Sequence, residues 1–226
     1  MTLKAILWDF DGTIIFFNID AQRMRREIFD YLAALDFQLL KGGPWKSIFS
    51  ILQEAKRFFL ANGKSPEEVN EFSSHVEHII NAIEVEGTVD TRLVPRVQEV
   101  IELAHHLGLK QAIITLNRTV NVTSLLTKFN LIQYFDVIAG RDVVPQFKPE
   151  PAHTQYILNR LRLKPEDCLM IGDHPNDLET ANAAQVSFAA VITDRHPRSE
   201  FAGAKFFVSQ NQMQEFIPIV RTLLGS

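Results

Sequence analysis

Residues 111–140 read QAIITLNRTVNVTSLLTKFNLIQYFDVIAG. The segment opens on a short apolar run rich in β-formers, QAIIT (111–115), and closes on another, FDVIAG (135–140), with a longer stretch of helical apolar spacing between them. The same alternation continues through CLMIG (168–172), SFAAVIT (187–193) and KFFV (205–208), and KAILW (4–8) is a sixth run of this kind. Strands alternating with helices predict an α/β fold, a Rossmann-like doubly wound and mostly parallel sheet. The runs are almost continuously apolar, as expected of strands covered by helices on both faces.

The pattern breaks after the first strand, where apolar spacing is helical and no strand-like run is expected before residue 90. Met24, Ile28, Tyr31 and Leu35 would share one helix face. A second helix is expected from about Trp45 to Leu60, ending near Asn62-Gly63. A third opens at Ser65-Pro66-Glu67-Glu68, with Ser65 as N-cap, Pro66 in the first helical position and Glu68 closing a capping box. The expected division is an α/β core of residues 1–15 and 89–226 with an inserted helical lobe at 16–88.

The composition suits a soluble globular protein: 226 residues, 46% hydrophobic, net charge −4. No lysine- or arginine-rich block is present, so no nucleic-acid partner is expected. No apolar stretch approaches a membrane span, and the run in MTLKAILWDF is too short for a signal peptide, so a cytoplasmic protein without membrane attachment is expected. The single cysteine, Cys168, sits in an apolar run and reads as a buried thiol in a reducing compartment. The sequons at Asn117 and Asn121 are then chance matches.

Open α/β sheets bind ligands at the carboxyl ends of their strands. The first strand releases Asp9 and Asp11, followed by Gly12 and Thr13; QAIIT ends in Thr115 with Asn117 beyond; VVPQFKPEP offers Lys148; CLMIG leads into Asp173 and Asp177. Two close carboxylates repel, so the pair needs a cation or a shared proton. Asp9 suits a nucleophile toward phosphorus, provided Mg²⁺ shields one anion from another. Asp9, Asp173 and the backbone carbonyl of Asp11 would offer hard oxygen ligands, with Asp177 either on the metal or beside it. Thr115 would donate to a phosphoryl oxygen, and Lys148 would neutralise phosphate and Asp9. Asp11 would protonate the leaving oxygen and then take a proton from the attacking water.

This arrangement resembles the haloacid dehalogenase superfamily of phosphohydrolases. DFDGT (9–13), the threonine ending QAIIT, Lys148 in FKPEP and IGDHPNDLETANAA (171–184) stand in that family's motif order, each at a strand end. The wording GRDVVPQFKPEP followed by MIGDHPNDLETANAA most resembles the phosphoglycolate phosphatase-like branch. The resemblance implies that the helical insertion is a cap domain. It also implies catalytic Asp9, Asp11 and Lys148, a phosphate site of Thr115, Asn117 and Lys148, and a Mg²⁺ site drawn from Asp9, Asp11, Asp173 and Asp177. Two departures are visible. The family often carries Asn directly after the second-motif threonine, whereas this chain reads Thr115-Leu116-Asn117, and DGTIIFFNID lacks the Asp-Ser or Asp-Thr common after DGT in phosphoglycolate phosphatase-like relatives.

Other polar groups have ordinary explanations. A hard oxygen site has no need of His174, and His75 and His78 have no companion ligands. His105 and His106 suit a helix carboxyl end. Arg23, Arg25 and Arg26 offer cations for an anionic substrate, yet Arg23 with Glu27 and Arg26 with Asp30 have the spacing of surface pairs. The expected activity is a Mg²⁺-dependent phosphatase acting through an aspartyl phosphate on a small phosphorylated metabolite of phosphoglycolate-like class; a phosphomutase or an idle binding protein on the same fold are the rivals. Monomer and homodimer are both open, since the phenylalanine-rich lobe suits a core or a dimer surface.

Overall fold

The computed structural model describes residues 3–16, 19–37 and 48–225. They form a six-stranded sheet in the order β5-β4-β1-β6-β7-β8. Its strands are β1 (Ala5–Trp8), β4 (Lys110–Ile114), β5 (Val137–Ala139), β6 (Cys168–Gly172), β7 (Ser187–Ile192) and β8 (Phe206–Ser209), every pair parallel. A two-stranded antiparallel ribbon of β2 (Ile15–Phe16) and β3 (Arg92–Leu93) forms a second sheet. No strand was expected at Ile15–Phe16, because two residues are too few to show a period-2 pattern.

Alternate residues of the strands face opposite sides, which creates two cores. Ile6, Trp8, Ile113, Leu169 and Ile171 point to one, where α4 (Val97–His106), α5 (Thr119–Lys128) and α8 (Phe216–Leu224) contribute Val100, Leu125 and Phe216. Ala5, Leu7, Ile114 and Met170 point to the other, against Ile157 and Leu161 of α6 (Pro151–Leu161) and Leu178 of α7 (Pro175–Ala183). Burial on both faces explains why the strands are apolar throughout. Cys168 is buried in the second core, and burial pushes its thiol up to about 12.

A buried polar side chain braces the first of these cores. Gln111 is fully buried, accepts the Trp8 indole N–H at 3.0 Å and donates to the carbonyls of Ile101 at 2.9 Å and Tyr134 at 3.3 Å. Gln111→Leu would leave the buried indole N–H without its acceptor and the Tyr134 carbonyl without this donor, at a cost of roughly 1–3 kcal/mol. Urea unfolding should show a lower midpoint with unchanged m; an unchanged midpoint would mean that the network contributes nothing.

The chain divides into two compact units, Met1–Phe17 with Thr91–Ser226, and Asn18–Asp90. In the second unit α1 (Ala21–Ala34), α2 (Ile48–Ala61) and α3 (Pro66–Gly87) pack about Ile28, Leu32, Ile51, Phe59, Phe72 and Ile80. The face expected from Met24, Ile28, Tyr31 and Leu35 is instead Met24, Ile28 and Leu32. The helix ends at Ala34, Asp36 takes a left-handed φ of 57°, and Leu35 is 37% exposed beyond the last turn. Tyr31 is half-buried and stacks on Phe72 at 5.9 Å. Helix α2 is described from Ile48 onward, and Trp45 and Phe17 lie outside the described residues. Ser65 and Glu68 form both bonds of the capping box, at 3.2 and 2.8 Å. Phe37, Phe59 and Phe72 are buried in this unit's own core, joined by ring contacts of 5.9 and 5.1 Å. No described helix is long and apolar enough to cross a membrane.

Candidate active site at the carboxyl end of the sheet

Register brings the site residues together. Trp8 pairs with Ile113 on one side and Ile171 on the other, and Ile114 pairs with Ala139, so the residues leaving these strands emerge at one level. Asp9 continues the ladder by donating its N–H to the Ile171 carbonyl at 2.8 Å. The chain then turns at Gly12, where two constraints require glycine. Its φ is +89°, and a Cβ would lie 2.6 Å from Cγ of Asp173. Thr13 donates to Asp173 Oδ1 at 3.3 Å, and Gln210 donates to the Gly12 carbonyl at 2.6 Å.

Lys148 is the centre of the polar cluster. Its ammonium, 5% exposed as a residue, donates to Asp9 Oδ1 at 2.6 Å and Asp177 Oδ1 at 2.7 Å. Asp177 uses its other oxygen to accept the His174 N–H at 3.1 Å. On the opposite flank Thr115 donates to Asp11 Oδ2 at 3.2 Å and accepts the Asn117 N–H at 3.0 Å. Asn117 Oδ1 accepts from the Arg118 N–H and from Asn121 Nδ2, at 2.8 and 3.3 Å. Asp11 Oδ1, an acceptor, and Asn117 Nδ2, a donor, form no close hydrogen bond, and the Asn117 side chain nonetheless bears on the Asp11 carboxyl and lowers its pKa.

Four carboxyl groups surround one ammonium, and the titration behaviour records the imbalance. Burial is the largest cause throughout. Asp9 is held well above the ordinary carboxylate range by burial and then by Asp177, against the pull of Lys148. Burial lifts Asp11 to about 6, with Lys148 and the Thr115 hydrogen bond opposing it. Asp173 rises to about 7 through burial and the charge of Asp177. Burial also disfavours charge on Lys148, yet Asp177 and Asp9 outweigh it and hold the ammonium above its usual value.

These residues fit a hard divalent cation. Carboxylate oxygens of Asp9, Asp173 and Asp177 lie within 4.8 Å of one another, the one such group among the described residues. The donors are all oxygen, and a divalent ion would relieve the repulsion that raises Asp9 and Asp173. Both oxygens of Asp177 already have partners, so its observed contacts are with Lys148 and the His174 backbone. His174 itself caps α7, its Nδ1 accepting the Asn176 N–H at 3.0 Å. His75 packs on the Tyr31 ring at 4.1 Å, and His78 Nδ1 bonds the Ser74 carbonyl at 2.7 Å. Arg23 pairs with Glu27 at 2.7 Å and with Glu86 at 2.6 Å.

Several contributors escaped the sequence reading. Gln210 reaches Gly12 from 198 residues away, a contact for which one sequence holds no signal. Arg141 is buried and donates to the Leu116 carbonyl at 2.7 Å, bracing the loop between Thr115 and Asn117. Its position just after the FDVIAG strand was the available clue.

A family model, haloacid dehalogenase-like hydrolase, matches residues 6–191. The chain belongs to this family. Among its relatives, this haloacid dehalogenase-like hydrolase is 28% identical over 202 residues to phosphoglycolate phosphatase 1 of Pseudomonas aeruginosa, covering 83% of this chain and 69% of the relative. It is 36% identical over 99 residues to the phosphoglycolate phosphatase of Salmonella typhimurium, a match that covers 44% of this chain and 38% of that enzyme. The solved structure of CbbY from Rhodobacter sphaeroides in complex with phosphate superposes with a TM-score of 0.63 at 25% identity, over 94% of this chain and 96% of that one. The chain thus resembles phosphoglycolate phosphatases, and by family it is a haloacid dehalogenase-like hydrolase.

Proposed function

We propose that this haloacid dehalogenase-like hydrolase is a Mg²⁺-dependent phosphomonoesterase that forms an aspartyl phosphate on Asp9. The observation that carries the reading is the placement of Lys148, buried and shared between Asp9 and Asp177 at 2.6 and 2.7 Å, beside three crowded carboxylates. An ammonium in that position neutralises the nucleophile's charge and would do the same for an incoming phosphoryl group.

Asp9 and Asp173, with the Asp11 backbone carbonyl, would hold Mg²⁺, which supplies charge neutralisation for an anionic nucleophile and an anionic substrate. Asp177, with both oxygens engaged, orients Lys148 from beside the ion. In the first step a carboxylate oxygen of Asp9 attacks phosphorus, the bond to the ester oxygen breaks, and Asp11 gives that oxygen its proton. Asp11, now a carboxylate, takes a proton from water; the resulting hydroxide attacks phosphorus and returns Asp9 and inorganic phosphate. Asp11 and Asn117 suit these roles. Both lie beside Thr115, and the Asn117 side chain bears on the Asp11 carboxyl, so acid and amide would face the same phosphoryl group.

The substrate class is a small phosphorylated metabolite in the cytoplasm, and 2-phosphoglycolate is the first candidate because relatives carry that name. The helical unit Asn18–Asp90 is assigned the part of the family's cap, which selects the substrate.

The test is phosphate release from a panel of phosphorylated metabolites with Mg²⁺ or with a chelator. Chelation should reduce release to background and Mg²⁺ should restore it. Release that survives chelation would rule out the cation's role, and phosphate retained on an isomerised sugar would favour the mutase. The same titration followed by thermal melting should raise Tm with the logarithm of Mg²⁺ concentration.

A further inference from the structure

We propose that His153 is a positioning residue for Lys148: its imidazole, held in the first turn of α6, accepts the Lys148 backbone N–H and thereby fixes where the ammonium meets Asp9. This rests on the reading of Lys148 as the cation of the phosphoryl-transfer site.

His153 lies in the first turn of α6 and is fully buried. Its Nδ1 accepts the Lys148 backbone N–H at 3.2 Å, and its Nε2 lies 3.0 Å from the Ala139 carbonyl, the last residue of β5. The tautomer follows from the partners. An N–H at Lys148 needs an acceptor at Nδ1, and a carbonyl at Ala139 needs a donor at Nε2, so the ring is neutral with its proton on Nε2. Burial, and after it the charge of Lys148, lowers the His153 pKa to about 4, which keeps this arrangement through the neutral range.

The ring has a mechanical consequence. Lys148 follows an irregular stretch after β5, and a lysine side chain is a flexible stem that does not by itself place its charge. Here both ends of the residue are held. The backbone is pinned to α6 by the His153 acceptor, whose ring the Ala139 carbonyl orients, and the ammonium is pinned by Asp9 and Asp177. Releasing the backbone end would let the ammonium shift along its carboxylates, and a displacement of about 1 Å at a reacting centre can cost about a hundredfold in rate.

The two bonds can be separated by substitution. In His153→Asn the side-chain oxygen occupies the place of Nδ1 and keeps the acceptor for Lys148, while the bond to Ala139 is lost. His153→Gln places its amide N–H near the position of Nε2 and loses the acceptor. Lys148→Met serves as the reference, with kcat and KM for phosphate release and hydrogen exchange at the Lys148 amide as readouts. The expected result is that Asn retains kcat within a few-fold and keeps the Lys148 amide protected. Gln should lose about a hundredfold in kcat, with a smaller change in KM and fast amide exchange.

Equal losses in Asn and Gln, matched by equal losses of thermal stability, would show a packing role and overturn the proposal. Wild-type kcat in Gln, while Lys148→Met is inactive, would overturn it too and leave the Lys148 reading standing. Full activity of Lys148→Met would instead overturn the reading on which the proposal depends, and the proposal with it. If His153→Gln prevents folding, His153→Leu, which fills the core without either bond, replaces it and is expected to show the same loss of kcat.

Discussion

Asp9→Asn is expected to lower phosphate release by at least about a thousandfold, on the order of 4 kcal/mol or more in transition-state free energy. The substitution is nearly isosteric, so the effect isolates chemistry from packing. An amide oxygen is a poor nucleophile, and its loss of charge also removes the ion pair that places Lys148. Fold and stability should survive, because Asn removes one of several carboxyls that repel each other in a buried site. Steady-state kinetics with a saturating phosphate ester, alongside circular dichroism of the variant, checks this. A folded Asp9→Asn protein that keeps a tenth of the wild-type rate would show that Asp9 is not the nucleophile.

Asp11→Asn is expected to act on catalysis and stability in opposite directions. Without a transferable proton, turnover should fall by about 10²–10⁴, the usual range for a lost general acid or base. Stability follows from the proton balance. The Asp11 pKa is raised from 3.8 to about 6 in the folded state. Its contribution to stability is therefore fully present below about pH 4 and lost as the pH rises through about 6. A shift of roughly two units corresponds to at most about 3 kcal/mol, and partial exposure of the residue brings the expectation nearer 2 kcal/mol. In chelator at pH 7.5, Asp11→Asn should therefore unfold at a higher temperature than wild type, by roughly 4–8 °C for a chain of this size. The gap should close as the pH is lowered toward 4. A gap independent of pH would remove the account of Asp11 as a buried acid with a raised pKa.

Much of this architecture was legible because a parallel sheet writes its own signature. CLMIG is a strand from its first residue to its last, and QAIIT, SFAAVIT and KFFV shift by about a residue at their ends. The carboxyl ends of these strands then name the residues that share a site, since register holds them level. Asp9, Thr115 and Asp173 needed only that rule. What stayed hidden depends on distance or on shortness. The β2–β3 ribbon joins residue 15 to residue 93 through two pairs, with no periodicity to announce it. Leu35 fitted the apolar stripe of α1, but the helix ended one residue before it. Gln210 and His153 act on the backbone of Gly12 and Lys148, and a side chain that grips another residue's backbone leaves no pattern in composition or spacing. The position of Asp177 was open in the sequence because spacing alone does not say which neighbours a carboxylate meets. Its bonds to Lys148 and the His174 N–H place it against the ammonium.

The most direct test of the central claim is to find the covalent intermediate. Asp11→Asn protein, mixed with Mg²⁺ and a reactive phosphate ester and quenched in acid, should carry one phosphoryl group, and peptide mass spectrometry should place it on Asp9. The mark should vanish in the Asp9→Asn, Asp11→Asn double variant. A phosphoryl group on another residue, or turnover in wild type that continues undiminished when Asp9 is replaced, would contradict the account.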